Sequence, residues 1–531
     1  MYPLFFYFSF LILIFIKSGF SFLGENDDWV LWYFLKNGEN VTLILSYPLS
    51  SLLSYLYKIS PNGEWYSFMI LSYLLLIALL ASYHISKIND KKIRFWAIIL
   101  TSLIFIHFLM NVTVTELTLL LIVFSFPFLY ENQLLFWIFL FLASFLRVKI
   151  IFSLLPIFAV AYLILARKKS ISKKYVVIIF FMAIGIVYIS SLSSMKGEDY
   201  ERWIKFSKAR AYFMDLHGKD YKNILNDDEE FVNYTWWAQD RDILPTYKVI
   251  KAADTSSFTI VKNAYMTLNL KKIIKILLKH KLIIFLIFLT FYLIFKERNI
   301  LNKILYFAIM GAIITLIIAR DMDRVSYPIL ILWAFLIFFK LYLYNKKDLL
   351  IKLLKISALI LFLESTLTRM YNHQTKEALK KEAIELMAKH PFVYELSFGF
   401  PTKYDILSMV AIQDHLFFEN DWFSLKKNRV LLSGWISRHP FFYRTHKISF
   451  GNYKGKYDNF YQFLTDKNTA FIGSLEISDK AKRILKIYDK KFAEEGCRHK
   501  IIFIDKSKHF SITKIVKECN NLTNIAQLKK M

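Results

Sequence analysis

Three carboxylates stand together in the stretch Gly24-Glu25-Asn26-Asp27-Asp28, directly after an apolar run. Adjacent acids of this kind do one of two things. Asp27 and Asp28 can cap a short helix in a solvated loop. Alternatively, one acts as general base on a substrate hydroxyl while its neighbour orients it or holds a metal. Cations recur further along, as Arg147 and Lys149 in Leu146-Arg147-Val148-Lys149 and as Arg320 and Arg324 in Arg320-Asp321-Met322-Asp323-Arg324. The planar fork of Arg suits a phosphate group, and ionised groups beside hydrocarbon are costly enough to suggest function. The plain alternative is snorkelling to headgroups, or pairing with Asp321 and Asp323, which flank the arginines. A third piece is the run 270–279. There Leu270, Ile273, Ile274, Leu277 and Leu278 form an apolar stripe, and Lys271, Lys272, Lys275 and Lys279 fill the other face. Such a helix lies in a membrane interface and attracts anionic lipid, which makes Lys271 and Lys275 candidate phosphate contacts. A Gly-rich phosphate loop, a His-Glu-x-x-His and a Cys-x-x-Cys are all missing. A divalent cation at the acidic pair is the one cofactor the residues leave open.

The elements that must position these groups follow from composition. The chain has 531 residues, 56% of them hydrophobic and 18% aromatic, with a formal charge of +27. Disorder is excluded by the hydrophobicity, and a disulfide scaffold by having 2 cysteines. The apolar residues fall in long runs, which a soluble protein rarely shows. A crossing helix needs about 20 apolar residues. Eleven runs qualify, near 3–23, 66–85, 95–112, 116–130, 133–147, 149–166, 175–193, 281–296, 303–319, 327–345 and 353–369. The fold class expected is an α-helical polytopic membrane protein of about eleven spans with a C-terminal α/β domain. A cleaved leader is the rival reading of 1–23, but Lys17 inside it and the lack of a basic start favour a retained span.

Lys and Arg set the orientation. They gather after the second span (Lys87, Lys91, Lys92, Arg94), the sixth (Arg167, Lys168, Lys169), the eighth (Lys296, Arg298, Lys303) and the tenth (Lys346, Lys347). Those loops are expected to face the cytoplasm, so the net charge marks topology and not a nucleic-acid partner. The loop 24–65 has a balance of −3 and is expected outside, together with 194–280 and the tail. The domains are then 1–369 in the bilayer and 370–531 beyond it. In the loop 24–65, a helix containing Trp29, Trp32, Tyr33 and Phe34 should end at Gly38, and a second should run over 46–59. In the tail, 428–436, 468–475 and 500–505 read as strands, and 372–389 and 479–494 as helices. Cys497 and Cys519 either pair in an oxidising compartment or stay free.

With an acidic first outer loop, two interfacial helices and basic outer turns, the chain resembles the GT-C class of integral-membrane glycosyltransferases over roughly residues 1–345. By that resemblance Asp27 and Asp28 match the acidic pair, one as catalytic base. Arg147 and Lys149 match basic residues before an apolar run ending in Pro156, and Arg324 in Arg324-Val325-Ser326-Tyr327-Pro328 is similar to an Arg-aromatic-Pro signature. A closer likeness is to a large set of bacterial multi-pass membrane proteins. It rests on Glu25-Asn26-Asp27-Asp28-Trp29, Pro61-Asn62-Gly63-Glu64-Trp65-Tyr66, Lys208-Ala209-Arg210-Ala211-Tyr212-Phe213-Met214-Asp215 and Gly434-Trp435-Ile436-Ser437-Arg438-His439-Pro440. The closer likeness names no substrate; the GT-C resemblance implies an inverting transferase of the plasma membrane with a polyprenyl-phosphate sugar donor and an extracytoplasmic acceptor: a glycan, lipid or protein. The alternatives are a surface-polysaccharide polymerase or ligase, and a non-enzymatic transporter of lipid-linked oligosaccharide. The transporter is disfavoured because internal repeats are not evident.

Overall fold

The structure is a computed structural model. It describes residues 1–17, 28–165, 182–189, 200, 281–319, 323–395, 430–431, 466–475 and 486–519, apart from positions 37, 41, 43, 111, 344, 391, 487, 488 and 491. The chain divides into two compact units; of the described residues, 1–189 and 281–373 fall in the first, and 200 with those from 374 onward in the second.

The first unit is helical. In chain order it contains α1 (Tyr2–Lys17), α2 (Asp28–Lys36), α3 (Tyr47–Ile59), α4 (Trp65–Ser86), α5 (Lys91–Leu109), α6 (Val114–Ser125), α7 (Phe128–Glu131) and α8 (Gln133–Leu165). After residues 182–189, which are helical, follow α9 (Lys281–Lys296), α10 (Ile300–Ala319), α11 (Asp323–Leu343) and α12 (Lys347–Ile360). At the centre is α6, every residue of which is buried. It packs against α4, α8 and α11, with Phe124 meeting Phe105 of α5 and Phe335 of α11. A helix apolar on all sides is stable only in such surroundings. Its hydroxyls are satisfied locally, Thr118 donating to the Val114 carbonyl and Ser125 to that of Ile122. Outward, Phe6, Phe10, Leu13, Phe95, Phe288, Phe295 and Leu359 are exposed. A soluble monomer does not present so many large apolar side chains.

Among the described residues four helices are long and apolar enough to cross a membrane: Trp65–Ser86, Lys91–Leu109, Val114–Glu131 and Gln133–Phe152. Four apolar helices are shorter: Tyr2–Lys17, Leu282–Lys296, Ile300–Thr315 and Ser326–Tyr342. This is the helical unit of a membrane protein. The expected boundary between the spans 133–147 and 149–166 falls at a kink between two helical segments of α8. One residue, Arg147, with φ −156° and ψ 86°, interrupts an otherwise continuous helical run. The run 353–369 lies inside a longer helical stretch. That stretch begins at Lys347, passes through a π-helical turn at Leu361–Thr366 and continues as α13 (Leu367–Ala388). Its first part, α12, is two-faced, burying Leu350, Leu353, Leu354, Ser357 and Ala358. The lysines that interrupt its other face keep it from reading as a uniformly apolar span.

The second unit is a small sheet covered by a helix. Its strands are β1 (Val393–Glu395), β2 (Val430–Leu431), β3 (Thr469–Ser474), β4 (Cys497–Lys506) and β5 (Phe510–Cys519), in the order β2-β1-β3-β5-β4. The pairs β1–β2 and β1–β3 are parallel, and β3–β5 and β4–β5 antiparallel. Leu379, Ala383, Leu386 and Met387 of α13, at helical spacing, pack on Ala470 and Ile472 of β3 and Phe510 and Ile512 of β5. The expected α/β tail is therefore present, with β1 and β5 as additions. Cys497 and Cys519, opposite each other at the open end of the β4–β5 hairpin, form a disulfide.

Candidate functional site

The described residues from 28 to 66 form a knitted structure, and their bonds explain how they hold a fixed shape. Helix α2 ends as expected at Gly38, whose φ of +85° suits glycine. The Gly38 amide donates to the Leu35 carbonyl (3.0 Å) and the Glu39 amide to that of Phe34 (2.9 Å), the paired bonds of a Schellman end. Thr42 closes the next turn by accepting from the Leu45 amide (3.1 Å) and donating to the Leu45 carbonyl (3.2 Å). Ser50 donates to the Asn40 carbonyl at 2.5 Å. At the far end Tyr57, 1% exposed, accepts from the Tyr66 amide at 3.1 Å. Burial pushes its phenol well above the ordinary value; the Tyr66 hydrogen bond opposes this and Glu64 adds to it. Glu64 accepts from the Trp32 indole (3.2 Å) and pairs with Lys36 (3.7 Å), which lies over the Trp32 ring. Helices α2, α3 and α4 are thus joined by one aromatic and ionic knot.

This segment is fastened to the break in α8. The Ser46 amide, just before α3, donates to the Phe145 carbonyl at 3.0 Å, two residues from Arg147. Released from helical geometry, Arg147 donates through Nη1 to the Thr115 hydroxyl in the first turn of α6. That turn is closed by Thr113, which accepts from the Glu116 amide (3.0 Å) and donates to the Glu116 carboxylate (3.2 Å). Glu116 is 1% exposed, and its buried carboxylate accepts from the Thr113 hydroxyl. The opposite ends of these helices hold a separate lock. There Lys87 pairs with Glu131 at 2.7 Å and covers the Tyr83 ring. Burial pulls the Lys87 ammonium down, but its bonds to Glu131 and Tyr83 outweigh that and raise it.

The expected site residues are therefore placed as follows. Arg147 is at the break in α8, in a bonded cluster with the start of α6 and next to the segment carrying the acidic pair. Lys149 is exposed, two residues on. Asp28 is the first residue of α2, so the helix starts at the acidic pair. Arg324 is the second residue of α11, where Pro328 cannot give the Arg324 carbonyl its usual helical donor. Asp27, Arg320, Lys271 and Lys275 lie outside the described residues. Among the described residues no three His, Cys, Asp or Glu side chains converge as a metal set. No family model matches the chain, and neither a curated protein nor a solved structure matches it. The residues that sequence reading passed over are Ser46, Tyr57, Thr115 and Glu116. Only the last had a legible signal, since Thr113-Val114-Thr115-Glu116 carries the Thr-x-x-Glu of a capping box.

Proposed function

We propose that the protein is a membrane glycosyltransferase that moves a sugar from a polyprenyl-phosphate donor to an extracytoplasmic acceptor. One observation carries the reading: the segment that follows the acidic pair is hydrogen-bonded to α8 beside Arg147, through Ser46 and Phe145. A carboxylate and a guanidinium fastened to one end of a helical unit suit a transfer in which a proton leaves one side and negative charge develops on the other. Asp27 or Asp28 takes the proton of the acceptor hydroxyl as its oxygen attacks the anomeric carbon. The bond from that carbon to the phosphate oxygen breaks, and the lipid phosphate leaves with the electron pair. Arg147, with Lys149, Arg320 and Arg324 as the further cations of the sequence pattern, stabilises that anion. Lys271 and Lys275 hold anionic headgroups nearby, and a divalent cation at the acidic pair would assist the leaving phosphate. The disulfide in the tail supports an oxidising, extracytoplasmic setting for it.

The test is sugar transfer from lipid-phosphate donors by purified protein carrying Asp27→Asn or Asp28→Asn. One of the two should lose about 100-fold or more of the rate, the scale of a general base, with donor binding retained. Wild-type rates in both variants would sink the assignment of the acidic pair.

A further inference from the structure

Helices α5 and α12 lie side by side and begin at the same end of the first unit. Lys355, in the third turn of α12, lies over the Trp96 ring in the second turn of α5, 5.3 Å from its centroid. The π-helical turn that follows α12 also packs on α5. Were the helices antiparallel, that turn, which starts at Leu361, would run past the start of α5 at Lys91. They are therefore parallel, and the basic turns before them come together. Helical spacing puts Lys92 one turn before Trp96 and Lys352 one turn before Lys355, each on the same face as its neighbour. Lys92, Lys352 and Lys355 are all exposed. Elsewhere in the unit, Lys36 and Lys87 are neutralised by Glu64 and Glu131. Among the described residues no carboxylate pairs with these three lysines. The acids nearest in sequence are Asp90, which accepts from the Lys92 and Ile93 amides as the cap of α5, and Asp348, exposed one turn before Lys352 and not bridged to it. Further along, the same two faces turn apolar, with Phe95 one turn after Lys92 and Leu359 one turn after Lys355, both exposed. A layer of cations followed by an exposed apolar strip matches the polarity of a lipid molecule, headgroup first and acyl chains after.

We propose that Lys92, Lys352 and Lys355 form a site for the headgroup of an anionic phospholipid, in the leaflet where α5 and α12 begin. The lipid phosphate accepts from the lysine ammonium groups, and the acyl chains lie along Phe95 and Leu359. Trp96 stands at the headgroup level that indoles favour, and its ring face holds the Lys355 ammonium in place. Basic pockets between spanning helices bind such headgroups. By the basic-loop rule this leaflet is the cytoplasmic one, opposite the side proposed for sugar transfer, so the site stands independently of the transferase reading.

The experiment uses full-length protein in detergent and native mass spectrometry with two probes, phosphatidylglycerol and phosphatidylcholine. Thermal unfolding of every variant serves as the fold check, and exposed lysines should leave it unchanged. The wild type should retain phosphatidylglycerol in preference to phosphatidylcholine. Lys352→Gln should bind phosphatidylglycerol about fivefold more weakly, the scale of one lysine near a membrane surface. The triple variant Lys92→Gln, Lys352→Gln, Lys355→Gln should lose on the order of a hundredfold. A second triple variant, Lys296→Gln, Arg298→Gln, Lys303→Gln, removes the same charge from the turn between α9 and α10 and should bind like the wild type. Equal weakening in the two triple variants would reduce the effect to net charge and overturn the site, as would equal retention of both lipids by the wild type. Displacement of phosphatidylglycerol by inorganic phosphate at the same concentration would overturn it too, because the chains would then contribute nothing.

Discussion

Gly63 has no room for a β-carbon. One built there would lie 2.5 Å from Nε1 and 2.7 Å from Cε2 of Trp65, because that indole folds back to donate to the Ser60 carbonyl at 3.1 Å. Gly63 donates to the same carbonyl, so the turn, the indole and the start of α4 hold one another. Gly63→Ala should therefore destabilise the protein by about 1–3 kcal/mol, the usual cost of overpacking, read as a lowered unfolding midpoint in detergent. An unchanged midpoint would mean the Trp65 ring swings away freely. The phrase Pro61-Asn62-Gly63-Glu64-Trp65 was conspicuous in the sequence, but its partners were not. Glu64 meets Trp32 and Lys36 across about 30 positions, and no local pattern encodes a contact of that range. Gly38 was different: its role as a helix terminator depends on its own backbone and five neighbouring residues, and it was legible.

Among the described elements, the β4–β5 hairpin is closed by a covalent bond. The disulfide Cys497–Cys519 has a sequence separation of 22, and closing a loop of that size stabilises the folded state by about 3 kcal/mol in the chain-entropy account. Both cysteines should resist maleimide until reduced. Replacing both by Ser should make the tail more easily cleaved by protease, and labelling without reductant would contradict the bridge. Acid acts on the same unit. Burial pushes the Glu382 carboxyl up, but its bonds to His509 and Ser507 prevail and hold it below the ordinary value. The His390 bond holds Asp505 down, and Lys500 holds Glu518 down. Carboxylates held below their unfolded values of about 4 contribute stability above that pH and lose it as pH falls through the folded values. Protease resistance of the tail should thus hold from about pH 7 to about pH 5 and decline below about pH 4. Resistance unchanged in stronger acid would remove these pairs from the account. The strand β5 was missed in the sequence because Lys514 and Lys517 break its apolar alternation. The cover that α13 gives Phe510 and Ile512 is a tertiary fact.

At the scale of the whole molecule, the contacts sort the helix ends of the first unit into two groups. Ser46 with Phe145 and Arg147 with Thr115 join one set, and Lys87 with Glu131 the other. The basic loops predict that the second set faces the cytoplasm. An impermeant maleimide applied to intact cells should label Asn62→Cys and spare Lys91→Cys, with the reverse pattern overturning that orientation. The sequence by itself determined the class of this protein and the composition of its candidate site. Hydrophobic runs, charged loops and clustered acids are local in the chain, and the energy of placing them in lipid or water is nearly independent of their neighbours. Tertiary structure alone decided that the non-helical backbone between the two segments of α8 is confined to Arg147. It also decided that Thr115 receives the guanidinium and that the two cysteines meet. Those outcomes depend on which polar groups are forced together where water is excluded, and an unsatisfied group is costly only once packing has fixed its surroundings.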